Sequence, residues 1–301
     1  MGALLVVVFC VGAGMVTARV PHPVGLGAAF NWWVVYIALP ALVLGQITQL
    51  DPSAPLLLPG VSLWLVFFGS WLAMALAGRM LGWSRGKIGA LVLTAGFGNT
   101  AFVGYPLIEA LHGTEALGIA VIADQFGSFL MISTLGLVAA SVYSGQRVKV
   151  LVILRRILLF PAFWALLIGL ALRASGVTPA LLLELCQRLG VTLTPLALFS
   201  VGLQLRLRSL GADATALLLG LGWKLLAAPL VVALFLWLNS ADSLTATVVV
   251  LQAAMAPMVT AGIFAQQYDL APTLASRMVG LGLVLSLLTV PLLSYGLGWL
   301  L

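Results

Sequence analysis

The stretch GFGNTAFVGYP, residues 96–106, lies inside an apolar run long enough to cross a bilayer, yet it holds three glycines, an asparagine and a proline. Lipid offers no hydrogen-bond partners, so a backbone amide or carbonyl left unpaired at that depth costs several kcal/mol. Irregular backbone is tolerated there only against protein or a water-filled cavity. Pro106 has no N–H and clashes with the turn before it, and Gly96, Gly98 and Gly104 loosen the same stretch. The residues predict two half-helices joined by a short extended piece near 100–105, with helix ends exposed at mid-membrane. Free N–H groups at such an end attract anions, and Asn99 adds a neutral donor and acceptor. With Thr100, Gly104 and Pro106 this forms one half of a candidate carboxylate site that lacks a fixed positive charge. The competing reading is a proline kink packed on a neighbour, with Asn99 bonded to backbone.

The rest of the chain places this stretch in a membrane protein. Of 301 residues, 62% are hydrophobic and 7% charged, with a mean hydropathy of +1.19. A soluble domain carries about 25% charged residues, so there is too little polar surface here to coat a globule. The net charge of +6 comes from basic residues scattered between apolar runs, which fits orientation in a bilayer and not nucleic acid. Cys10, Cys186, His22 and His112 have no metal-like spacing, and no phosphate loop or nucleophile with its base is present, so neither a metal, a cofactor nor an enzyme is expected. The N-terminal MGALLVVVFCVGAGMVTAR reads as a retained span, because Arg19 follows the apolar run instead of preceding it.

Ten segments are long enough to span, at 2–20, 29–50, 58–80, 88–111, 115–143, 157–175, 179–205, 213–238, 244–267 and 272–299. Ten of the fourteen Lys and Arg fall on one side: Arg19, Arg79, Arg85, Lys87, Arg147, Lys149, Arg155, Arg156, Arg206 and Arg208. The positive-inside rule makes that side cytoplasmic and puts both termini outside, in a plasma membrane. Trp32, Trp33, Trp83, Trp237 and Trp299 fall near span ends. An offset of 155 residues carries the first five segments onto the last five, taking Gly14 to Gly169, Pro40 to Pro195 and Gln49 to Gln204. Five is odd, so the second half must run inverted, as in many secondary transporters. The expectation is an all-α integral membrane protein of ten transmembrane helices: two inverted five-helix repeats, 1–145 and 157–301, with broken helices 4 and 9 crossing. The mirrored stretch, LQAAMAPMVTAGIF at 251–264, offers Gln252, Pro257 and Thr260 for the other half of the site, but position 261, the mate of Pro106, is alanine.

At this point the sequence resembles a family. NTAFVGYPL, TPLALFSVGLQL (194–205) and AGIFAQQYDLAPTLAS (261–276) look like the fourth helix, the seventh helix and the ninth-to-tenth junction of the auxin efflux carrier superfamily, in its bacterial organic-acid carrier branch. The resemblance implies scaffold helices in 2–50 and 157–205, transport-domain helices in 58–143 and 213–299, and a homodimer through helices 2 and 7. It also implies Asn99 as the substrate-contacting asparagine and Pro106 as the crossover proline. The family's ninth-helix proline would fall at Ala261, which leaves Pro257 as its substitute. The long central loop of the plant carriers is missing, which disfavours auxin itself.

Intramembrane charges are costly and mark function. Asp124 lies about nine residues into the fifth segment, roughly 13 Å deep, and Lys224 lies near the midplane of the eighth. The two are a candidate pair for proton coupling across the repeats, with a static ion pair or a role at the half-helix ends as the alternative. The function expected is secondary transport of a small organic anion by alternating access, with protons as the candidate coupling ion and lipid as the other partner. The alternatives are a sodium-coupled symporter of the bile-acid type, which should show more oxygen ligands than this one carboxylate, and a channel or sensor.

Overall fold

The computed structural model describes residues 2–50, 56–147, 149–177, 179–205 and 213–300. Arg206, Arg208 and the side chain of Trp299 lie outside the described residues. The described chain is helical, and its one strand-like feature is an antiparallel bridge between Gly98 and Pro257.

Among the described residues, six helices are long and apolar enough to cross a membrane: Leu26–Gln49, Leu57–Met80, Thr114–Ser144, Ala180–Gln204, Ala214–Leu238 and Pro272–Gly298. A seventh is formed if Val150–Leu158 and Pro161–Ser175, bent by 62°, count as one. The segments expected at 88–111 and 244–267 are helical but interrupted, and the first yields the 16-residue helix Gly2–Thr17. Large apolar side chains such as Leu5, Phe9, Leu218 and Leu292 stand exposed over the helices, as a lipid-facing surface requires.

One element differs from the sequence expectation. Residues 144–156 were expected as a short loop, but Val150–Leu158 is a separate helix with no buried residue. Its pattern, VLVILRRIL, puts Arg155 and Arg156 among leucines and valines in an amphipathic turn. Such a helix lies along a membrane interface instead of crossing it. The turn of the chain at Phe160–Pro161 then starts the true span, with proline where a helix start tolerates it.

Three prolines leave the same mark. Val34–Ala38, Thr100–Gly104 and Trp223–Ala227 are widened, π-type turns, and each begins six residues before a proline: Pro40, Pro106 and Pro229. Proline has no N–H for the carbonyl four residues back and its ring presses on that turn, so the ladder opens to i→i+5. Two further widened turns, Ala123–Phe129 and Ile132–Gly136, have no proline behind them. Asp124 and Lys224 both sit on widened turns.

Helix pairs close where glycines face each other. Gly2–Thr17 packs on Leu193–Gln204. A Cβ on Gly14 would lie 2.2 Å from the Phe199 carbonyl oxygen, and one on Gly202 would lie 2.2 Å from that of Val11. Pro161–Ser175 packs on Leu39–Gln49, and Gly169 sits against Leu44 and Ile47. Small residues let backbones approach in lipid, where packing and not hydrophobicity drives helix association.

The basic residues gather at one face. Arg85 donates to the Val142 carbonyl at 2.6 Å, and Asp213 bridges Lys87 at 2.8 Å and Arg277 at 3.4 Å. Gly86 lies beside Asp269–Ala271. On the opposite face Asp242 caps Ser243–Ala253, accepting from the Thr245 N–H at 2.9 Å. Burial alone would push the Asp242 carboxyl up, but hydrogen bonds from Thr245 outweigh this and hold it below the usual carboxylate range.

Candidate functional site

The break at Asn99 is real but shorter and earlier than the sequence predicts. Arg85–Gly96 ends, Phe97 turns extended (φ −118°, ψ 131°), and helical geometry resumes at Thr100. The extended piece is therefore 97–99, not 100–105. The correction has a physical cause: Pro106 is accommodated by the widened turn Thr100–Gly104, so the chain needs no extended residues there.

A second interruption faces the first. Ser243–Ala253 ends, and Val259–Gln267 begins after Met258 (φ −67°, ψ 131°). The two extended pieces pair through main-chain bonds: Asn99 N–H to the Ala256 carbonyl at 2.7 Å, and Met258 N–H to the Phe97 carbonyl at 2.9 Å. Each break thus satisfies backbone groups that lipid would have left orphaned. Gly282 makes room for this pairing, since a Cβ there would lie 2.3 Å from the Pro257 ring.

The remaining helix ends are met by side chains. Asn99 Oδ1 accepts from the Phe102 N–H at 3.2 Å and caps the helical stretch that follows. Its Nδ2 donates to no atom among the described residues. Met258 supplies no side-chain cap, so the first N–H groups of Val259–Gln267 have no cap from the chain. The carbonyl of Ala253, at the negative end of Ser243–Ala253, accepts from Lys224 Nζ at 2.6 Å. Asp124 accepts from Thr100 Oγ1, from the Tyr105 hydroxyl at 2.8 Å and from Gln125 Nε2 at 2.8 Å. A carboxyl therefore lies by the start of one half-helix and an amine at the end of another, the ends at which the peptide dipoles favour their charged forms.

This arrangement corrects one expectation. Asp124 and Lys224 are both buried, 4% and 1% exposed, but they do not bond to each other. Each is taken by a different break.

Two cavities reach the breaks from the basic face. One, of about 280 Å³, is lined by Asn99, Asp124, Thr260, Met258, Gln204 and Arg156, among others. The other, of about 770 Å³, runs from Asn99 and Pro257 to Gln266, Pro272 and Ser276. A third, of about 730 Å³, opens on the opposite face at Gln49, Glu115 and Asp242, and none of the sequence-predicted site residues lines it.

The structure thus divides those residues. Asn99, Pro257, Thr260 and Asp124 border the large cavities. Thr100, Gly104, Pro106, Gln252 and Lys224 are buried behind them. Gln252 Nε2 bridges the carbonyls of Thr100 and Ala120, both at 3.3 Å. Its Oε1 lies where a Cβ on Gly104 would be, 2.3 Å away, so Gly104 is the gap into which Gln252 fits. Sequence reasoning missed Gln204 and Asn31 as cavity residues, and it assigned Arg156 to a loop. Gln204 had a signal, as the symmetry mate of Gln49. Arg156 had none, because only the bend at 62° turns it toward the cavity.

Interrupted helices paired through main-chain bonds, with an uncapped helix start and an asparagine lining the adjoining cavities, are features that suit a membrane transport protein. The chain belongs to the membrane transport protein family, whose profile matches residues 26–294, and this bears out the resemblance to the auxin efflux carriers. Among its relatives is a protein described as an uncharacterized transporter of Methanothermobacter thermautotrophicus, 29% identical over 270 residues, covering 89% of this chain and 88% of the relative. A protein described as "Putative malonate transporter" of Rhizobium meliloti is 28% identical over 298 residues, covering 94% of this chain and 91% of the relative. A further archaeal transporter, from Methanocaldococcus jannaschii, is 28% identical over 202 residues, covering 64% and 62%.

Proposed function

We propose that the protein is a secondary transporter of a small organic anion, a carboxylate, working by alternating access. The observation that carries this reading is the paired interruption at 97–99 and 254–258, which lies at the wall of a cavity of about 770 Å³ lined by Asn99 and Pro257. Asn99 Nδ2 and the uncapped N–H groups at Val259 are the donors for the carboxylate, with Thr260 beside them. The relative described as a malonate carrier supports the choice of anion.

The architecture behind it is a ten-helix inverted repeat. Support comes from packing. Gly14 meets Phe199 and Gly202, while Gly169 meets Leu44 and Ile47. Each partner in the second contact carries the number of its counterpart shifted by 155, with the two halves exchanged. Gly127 and Gly282, also 155 apart, each pack on the first helix of their own half's transport segments, against Gly60 and Leu63 in Leu57–Met80 and against Leu221 in Ala214–Gly222. A moving unit of 58–143 and 213–299 is supported by a hydrophobic cluster whose buried members come from those segments, from Phe67 through Ala140 and from Ala216 through Met278, with Ile153 packed at its edge. The scaffold is then 2–50 and 157–205, with helices 2 and 7 as the dimer face. By the positive-inside rule the cavities at Asn99 open to the cytoplasm of a cell with this protein in its plasma membrane. Glu109 Oε2, accepting from Thr194 Oγ1 at 2.8 Å, joins the moving unit to the scaffold on the outer side.

The test is counterflow in proteoliposomes preloaded with malonate. Saturable exchange, competed by other small carboxylates and not by the neutral diamide, is the expected result. Absence of carboxylate exchange in folded, monodisperse protein defeats the proposal. Proton coupling is assigned to Asp124, which borders the cavity, with Lys224 holding the opposed break. Asp124→Asn is expected to abolish stimulation of uptake by an imposed pH gradient while leaving passive exchange. Undiminished gradient dependence in both Asp124→Asn and Lys224→Ala removes these residues from coupling.

A further inference from the structure

The cavity of about 280 Å³ carries two charged residues, Asp124 and Arg156. Asp124 is already held by Thr100, Tyr105 and Gln125. Arg156 has no acidic partner among the described residues. Its guanidinium carbon lies 4.3 Å from the centre of the Phe264 ring. Stacking occupies the flat face of a guanidinium, whereas its five N–H donors lie in the plane and stay available to an anion. Phe264 is buried in Val259–Gln267, the half-helix whose start borders the same cavity. Arg156 itself comes from the amphipathic helix Val150–Leu158, outside the interrupted pair.

We propose that Arg156 is a substrate-binding residue that reads a second negative charge, so that the cavity selects small dianions over monoanions. The inference rests on the carboxylate reading above. One carboxylate meets Asn99 and the uncapped N–H groups, which are neutral donors and set no preference for total charge. The second meets the guanidinium fork, which matches a carboxylate bidentately. Asn99, Val259 and Arg156 all line this one cavity of about 280 Å³, so a short dianion bound in it has both kinds of donor in its walls. The contact with the Phe264 ring restrains the guanidinium, which reduces the entropy lost on binding. Because Arg156 and Phe264 sit on different helices, a bound dianion also ties Val150–Leu158 to Val259–Gln267.

The experiment compares binding of malonate with that of its monoamide, malonamate, which has the same shape and one charge fewer. Both are titrated by calorimetry against purified wild type, Arg156→Gln and Arg156→Lys at a pH where every carboxyl is ionised, with size-exclusion profiles confirming the fold. Wild type is expected to prefer malonate. Arg156→Gln should weaken malonate by about tenfold or more, the scale of one charge-assisted hydrogen-bonded contact, and leave malonamate within about twofold. Arg156→Lys, which keeps the charge and loses the fork, should fall between. An unchanged malonate-to-malonamate ratio in Arg156→Gln overturns this inference and leaves the carboxylate reading standing. Wild type that binds neither acid overturns both.

Discussion

Asn99→Ala is expected to lower carboxylate exchange by about 100-fold or more while the protein remains folded. The residue serves two purposes that a single substitution removes together. Its Oδ1 caps the helical stretch after the break by accepting from Phe102 N–H at 3.2 Å, and its side chain borders both cavities that open on the basic face. Loss of the cap costs about 1 kcal/mol, which a chain with this much buried packing survives. The backbone pairing to Ala256 at 2.7 Å does not depend on the side chain. Asn99→Ser separates the two roles. Serine still caps but lacks the amide nitrogen, so it should restore the thermal midpoint and not the exchange. Normal transport in the alanine variant, measured in proteoliposomes at matched protein density, would remove Asn99 from the site.

Gly14→Ala is expected to be the most damaging of the small substitutions to stability. The new methyl would have to lie 2.2 Å from the Phe199 carbonyl oxygen and 2.8 Å from the Leu203 nitrogen, both backbone atoms. No rotamer relieves such a contact, so the helices must separate along their whole crossing. Overpacking of this kind costs about 1–3 kcal/mol and occasionally more. The control is two residues away: a Cβ on Gly12 meets nothing within 4 Å. Gly12→Ala should therefore match wild type or gain slightly from helix propensity. Gly169→Ala should fall between, because its nearest neighbour is the Ile47 side chain at 3.0 Å, which can shift. Thermal unfolding in detergent ranks the three. Equal midpoints for Gly14→Ala and Gly12→Ala would mean that Gly2–Thr17 and Leu193–Gln204 do not cross as described.

The breaks show what a sequence can and cannot yield. Pro106 with Gly96 and Gly98 announced an interruption, because each residue disfavours a helix locally. Its position was misjudged by several residues, since the proline could be absorbed by a widened turn and the chain opened at Gly98 instead. The second break was hinted at by Pro257, and its location depends on the pairing with Gly98, which is distant in sequence and adjacent in space. Gln252 was polar and near the right place, so it was taken for a site residue. In the structure it is wholly buried and ties Thr100 to Ala120. Asp124 and Lys224 were legible as intramembrane charges, and a role at the half-helix ends was one alternative read there, which Lys224 fits by donating to the Ala253 carbonyl; that the two side chains serve separate breaks was not legible.

Composition and apolar run length determined by themselves that this chain lives in lipid, because so few polar groups cannot solvate its surface. The absence of hydrogen-bond partners in that solvent meant that the glycine–proline cluster required backbone pairing within the protein, which the second break supplies. Which groups face the cavity was decided by tertiary structure alone. A side chain's exposure there follows from the angle at which distant helices meet, as the bend that brings Arg156 over Phe264 shows, and no local run of residues encodes that angle.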